Sequence, residues 1–250
     1  MKATLLKILL AVFYLSCVLA VAGWVICANA CNARQHNTSE IAIMLDVTEP
    51  LLAWPKADEL QQLYKLENDN MNGVRLHVSE LNDVSYNRQT PFVLEQGGSA
   101  LTTNRFDRKH EVEAFLEGIA LYFDSITHDT LIGRPKSSLY IPLAMQLNSL
   151  SESNAEHRVL VVYSDLLENS SQLNLYDPET LSQLKNKPDT IAARLKRMTA
   201  LNDLTGIHIY IVFQPRDTAS DDTFRSVSGF FKTYFEQHGA DVTVTANLNR

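Results

Sequence analysis

The chain has 250 residues, 45% hydrophobic and 20% charged, with 9 Gly and 8 Pro. That supports one sizeable core and excludes a fibrous or disordered chain. The net charge is −7, and the first 31 residues hold Lys2 and Lys7 but no acidic residue. The remainder is therefore more acidic still, without the basic footprint that nucleic acid or anionic lipid requires.

Lys2 and Lys7 precede an uncharged apolar run of 21 residues, Ile8 to Ala28. A bilayer-spanning helix needs about 20 such residues, whereas the core of a cleaved signal peptide has about 7–15. The lysines predict a cytoplasmic N-terminus and an exported body. Residues 1–31 thus read as a membrane anchor. "ANA" (Ala28 to Ala30) also fits a signal-peptidase site, and Cys17 or Cys31 a lipidated cysteine; all three readings export the body. Cys17, Cys27 and Cys31 are the only cysteines, so the body has no internal disulfide, thiolate metal site or cysteine nucleophile. Residues 32–40 are polar and read as a short tether. "NTS" at Asn37 and "NSS" at Asn169 match the glycosylation tripeptide, a pattern too frequent by chance to carry weight.

From residue 41 to 250 the pattern predicts one α/β domain with a mainly parallel central sheet between helices, a three-layer arrangement. Four short apolar runs read as buried parallel strands: Ile41 to Asp46, Arg158 to Asp165, Ile207 to Phe213 and Asp241 to Ala246. Val74 to Leu81 alternates more, as a strand nearer the sheet edge does, with Thr90 to Gln96 as its antiparallel partner. Helical spacing joins Leu60, Leu63, Tyr64 and Leu66, and again Val112, Phe115, Leu116, Ile119 and Phe123. In "LYIPLAMQLNSL" it joins Leu139, Leu143 and Leu147, with Pro142 tolerated in the first turn. "TIAARLKRMTAL" and "DTFRSVSGFFKTYFEQHG" supply two more helices, the last closed by Gly239. The stretches from about Glu80 to Lys109 and Glu168 to Asp189 lack a clear period and read as surface elaborations.

Ligands of open parallel sheets bind at the carboxyl ends of the strands. Asp46 and Asp165 each end a predicted strand, and Thr48 follows Asp46 at the spacing that keeps both on one side of an extended chain. Ser137 and Ser138 stand just before "LYIPLA", a place where serine commonly caps a helix. Together "LDVTEP", "SSLYIPLAMQL" and "VLVVYSDLLEN", in that order, resemble the von Willebrand factor A domain. That family builds a metal-ion-dependent adhesion site from a D-x-S-x-S motif, a Thr on a second loop and an Asp on a third. The resemblance implies that Asp46 and Thr48 stand for the first Asp and Ser, Ser137 for the loop Thr, and Asp165 for the Asp of the family's "TDG". Pro50 replaces the second Ser and has no side-chain donor. The implied cofactor is Mg²⁺, or Mn²⁺ or Ca²⁺; Mg²⁺ takes about six oxygens, several from water, and an open position can accept a partner's carboxylate.

The implied function is protein recognition in the cell envelope rather than catalysis, with a metal-free scaffold as one alternative. "LDVTEP" also resembles the D-x-D-x-T start of aspartate-nucleophile phosphotransferases. Thr48 stands where the second Asp would supply the general acid. No G-x-S-x-G, P-loop or H-E-x-x-H pattern occurs, and the seven histidines have no zinc spacing. A Mg²⁺-dependent phosphoesterase using Asp46 and Asp165 is the remaining enzyme alternative.

Overall fold

The computed structural model describes residues 37–48, 51–66, 70–81, 88–98, 104–128 and 138–248. The N-terminal apolar segment, Pro50 and Ser137 lie outside these. Six strands form one sheet: β1 (Thr38–Asp46), β2 (Gly73–Leu81), β3 (Arg88–Leu94), β4 (His157–Tyr163), β5 (Ile207–Val212) and β6 (Asp241–Thr245). Among the described residues six helices accompany them: α1 (Ala57–Tyr64), α2 (Arg105–His128), α3 (Tyr140–Glu152), α4 (Pro178–Asn186), α5 (Pro188–Met198) and α6 (Thr218–Glu236). The sheet order is β3-β2-β1-β4-β5-β6, parallel throughout except for β3, which runs antiparallel to β2.

The apolar runs become interior strands because both of their faces are covered. In β1, Ile41, Ile43 and Leu45 point into one core with Leu60, Tyr64, Phe115 and Ile119 of α1 and α2. Ala42 and Met44 point into the other with Leu143 and Leu147 of α3, Leu195 of α5 and Phe231 of α6. A strand buried on both faces must be apolar at every position, which is why its sequence does not alternate. β1 nevertheless begins at Thr38, ahead of the apolar run. Thr38 pairs with Gly73, and Ser39 pairs with Val74 and His157. Main-chain pairing at a strand's start does not require apolar side chains.

The stretch after β4 is more than a surface elaboration. Leu173, Leu175 and Leu184 are core residues, and α4 occupies Pro178–Asn186. The helix is too short for its period to stand out. Its start is marked by Asp177, whose side chain accepts from the Thr180 amide at 2.9 Å, with Pro178 following. α6 begins on a capping box between Asp217 and Ser220. Beyond its end Gly239 has φ +96°, and a Cβ there would stand 2.6 Å from Thr205 Oγ1, so the expected glycine stop rests on both conformation and space.

Each outer strand carries a feature that discourages further pairing. Pro91 removes a donor from β3, and Lys232 of α6 donates to the Val242 carbonyl of β6 at 2.7 Å. Among the described residues no helix is long and apolar enough to cross a membrane.

Arg108, 1% exposed, ties the start of α2 to two turns at the amino end of β2. Its guanidinium donates to the carbonyls of Asn70, Asn72 and Glu95, each at 2.8 Å, and to Glu111 Oε2 at 3.0 Å. The planar fork pairs with three carbonyls at once, of which that of Asn72 belongs to a buried residue. Arg108→Met keeps the aliphatic bulk but strips these carbonyls of a donor. We expect a loss of about 3 kcal/mol or more, read from the urea midpoint at unchanged slope.

Candidate functional site

The strand order turns back between β1 and β4. From β1 the chain builds outward through β2 and β3; after β4 it builds the other way through β5 and β6. Parallel sheets open a crevice at such a reversal, beyond the strands' carboxyl ends. Asp46, the last residue of β1, stands there at 4% exposure.

A carboxylate so deeply buried must be hydrogen-bonded. Asp46 Oδ1 accepts from the Thr48 amide at 3.1 Å and from Thr48 Oγ1 at 2.6 Å, the closed local turn that Asp forms with the residue two ahead. Asp46 Oδ2 accepts from Ser164 Oγ at 2.8 Å across the β1–β4 boundary. Ser164 is fully buried, and its oxygen also accepts the Leu166 amide at 2.9 Å. One serine thus binds the end of β1 to the loop that leaves β4.

That loop is tightly built. Asp165 Oδ1 accepts the Leu167 amide at 2.9 Å, and Leu166 adopts φ +63°, a left-handed conformation uncommon for leucine. Farther along, the Leu175 amide donates to the Glu168 carbonyl at 2.8 Å. The Glu168 side chain, fully buried, crosses to the start of α3. Its Oε2 accepts the amides of Leu139 at 2.7 Å and Tyr140 at 2.8 Å. Leu139, the residue preceding α3, has no side-chain cap of its own, so a carboxylate from a distant loop does the capping. Burial pushes the Glu168 carboxyl above the usual carboxylate range, and the charge of Asp46 adds to the rise. The Ser170 hydroxyl and the Tyr140 and Leu139 amides pull it the other way.

Asp46 and Asp165 line one cavity of about 160 Å³ together with Leu51, Leu167, Tyr176, Phe213, Gln214, Arg216 and Ser220. Of the four sequence candidates, Asp46 and Thr48 are in direct contact, and Asp165 shares the cavity with Asp46. Ser137 lies outside the described residues. Its neighbour Ser138 is 5% exposed, and its hydroxyl has no hydrogen-bond partner. Sequence reasoning missed Ser164 and Glu168. Ser164 sits inside the "YSD" segment itself, but nothing local shows that a strand-end hydroxyl will face Asp46. Glu168 lay in a stretch without period.

The donors match a hard cation in kind, since carboxylates and hydroxyls are the ligands Mg²⁺ and Ca²⁺ take. Two further buried oxygens, Ser138 Oγ and Glu168 Oε1, have no hydrogen-bond partner, and neither residue lines this cavity. Among the described residues no three His, Cys, Asp or Glu side chains gather as a metal-holding group, so hydroxyls and waters would have to complete any shell. The sequence matches no protein-family model and no curated protein.

The pH dependence of Glu168 has a definite sign. Folding raises its pKa above the ordinary 4.5, so the folded state holds this proton more tightly than the unfolded one. The associated stability is complete below pH 4.5 and is lost as pH rises through the elevated value. Glu168→Gln keeps an oxygen for the two α3 amides but does not titrate. In chelator-containing buffer, the difference in urea midpoint should therefore move in favour of Glu168→Gln as pH rises from 4.5. A difference constant with pH would show that Glu168 does not titrate there. Ser164→Ala leaves Asp46 Oδ2 and the Leu166 amide each short of a partner and should cost about 1–3 kcal/mol in the same assay.

Proposed function

We propose that this chain is an exported, membrane-anchored protein-recognition module with a von Willebrand A-like domain, and that recognition takes place around Asp46. The observation that carries the proposal is the Asp46 carboxylate, buried at the reversal of strand order and bound by Thr48 and Ser164. Two further features support the resemblance. Asp46 and Asp165, matched to carboxylates on separate loops of the family's site, line one cavity. Leu166, at the place of the glycine in the family's "TDG", has the positive φ that glycine favours.

A cation bound here would supply an electrophilic position at which a partner's carboxylate completes the shell. Asp46, Thr48 and Asp165, with Ser137 as the fourth residue, would hold it. Around them Leu51, Leu167, Tyr176 and Phe213 give the cavity apolar walls, and Arg216 adds a positive group. Polar groups at the centre with apolar surface beside them suit the docking of a protein side chain. Residues 1–31 would act as the anchor and keep the module at the membrane surface.

Titration calorimetry of Mg²⁺ and Mn²⁺ into the full-length protein in detergent micelles checks the metal, with Asp165→Ala beside the wild type. We expect saturable binding in the wild type and its loss in the variant. Metal-dependent hydrolysis of a generic phosphoester, abolished in Asp165→Ala, would instead establish the phosphoesterase. Partner binding that survives both a chelator and Asp46→Ala would leave a metal-free scaffold.

A further inference from the structure

The cavity that Asp46 shares with Asp165 measures about 160 Å³. Pockets that enclose a small-molecule ligand run to about 300–1,000 Å³, so this one has room for a single side chain of a larger partner. Its floor and its walls differ in chemistry. Asp46, 4% exposed, marks the floor, and Asp165 is half-buried on the same space. Leu51, Leu167 and Phe213 form half-buried apolar walls, and Tyr176 lines the cavity while 44% exposed. Leu52, next in the chain to Leu51, is 52% exposed. Apolar side chains left open around a polar recess are the kind of surface that a protein partner covers.

We propose that this recess takes a lysine or arginine side chain of a protein partner, its charged end at Asp46 and Asp165 and its aliphatic stem along the apolar walls. The inference rests on the reading of Asp46 as the place of recognition, and the partner's own positive group stands where that reading puts a metal ion.

Charge favours this occupant. The lining carries two carboxylates against the one guanidinium of Arg216, which leaves a single negative charge to balance. A basic side chain balances it, and an acidic one would add to it. Arg216 is exposed whereas Asp46 is buried, so the positive group already present stands nearer the mouth than the floor. Shape and chemistry agree with charge. Among the described residues no three His, Cys, Asp or Glu side chains gather to hold a metal. An ammonium or guanidinium needs no closed shell, and Gln214 and Tyr176 add oxygens beside the carboxylates. Lysine and arginine also bring an aliphatic stem that packs on apolar surface while the head pairs, and a bare ion makes no use of such walls. The rings of Tyr176 and Phe213 attract a positive group over their faces. Thr48 and Ser164 hold the Asp46 carboxylate in place before any partner arrives, which lowers the ordering cost of binding.

The test uses full-length protein in detergent micelles with a chelator present. The probes are pools of fluorescein-labelled pentapeptides with mixed flanking residues around a fixed centre of lysine, arginine, norleucine or glutamate. Fluorescence anisotropy reads their binding. The lysine and arginine pools should bind. Norleucine keeps the stem without the charge, and its pool should bind roughly tenfold or more weakly. Asp165→Asn retains an oxygen for the Leu167 amide and removes the charge. It should weaken the lysine pool by a similar factor and leave the norleucine pool unchanged. Arg216→Gln removes a like charge and should tighten the lysine pool by about two- to fivefold. A norleucine pool bound as tightly as the lysine pool overturns the proposal. So does a glutamate pool that binds only when Mn²⁺ replaces the chelator while the lysine pool stays unbound, and metal-bridged recognition at Asp46 then stands. If no pool binds with or without Mn²⁺, both readings fall. Should Asp165→Asn fold poorly, Arg216→Gln decides, since the replaced side chain is exposed; unchanged affinity for the lysine pool there overturns the proposal.

Discussion

Burying a carboxylate at the end of a central strand is the constraint around which the carboxyl edge of this sheet is organised. Asp46 is removed from water by the strands and loops beside it, and a bare charge there would be too costly to keep. The chain meets the cost locally with Thr48 and across the sheet with Ser164. The second bond requires β1 and β4 to be parallel neighbours in one register, with Leu45 opposite Tyr163. A one-residue slip would turn Ser164 away and exchange the two apolar faces of β1. The polar site and the hydrophobic packing therefore specify the same alignment.

A second economy follows from Glu168. Helix α3 begins without a cap of its own, and the loop after β4 brings a carboxylate to its amides. One side chain satisfies a helix end, fastens a long loop and brings the loop carrying Asp165 to the one carrying Ser138. Burial pushes the Glu168 carboxyl above the usual carboxylate range, and the charge of Asp46 adds to the rise. The opposite edge has the converse solution. There Arg108 is a buried cation whose partners are mainly main-chain carbonyls, and it secures turns rather than forming a site.

Much of the architecture was legible in the sequence because burial on both faces leaves a mark that does not depend on neighbours. Continuous apolar runs identified β1, β4 and β5, and three-and-four spacing identified the longer helices. The antiparallel pairing of β3 was legible too, as the expected partner of the alternating strand from Val74 to Leu81. The site was legible in part. Asp46 and Thr48 are two residues apart, so their contact is a local matter that any reader of the chain can foresee. Helix α4 and the buried leucines before it were missed because nine residues show too little periodicity and a folded loop shows none.

The sequence by itself determined the alternation of strands and helices, the carboxylates at strand ends and the turn between Asp46 and Thr48. Each depends on residues close together along the chain, or on apolar pattern alone. Only the tertiary structure decided that Ser164 would bind Asp46 and that Glu168 would cap α3. Those pairs are separated by 118 and 29 residues. Strand order, not composition, brings them together, and a hydroxyl or carboxylate carries no sequence mark of the distant group it will face.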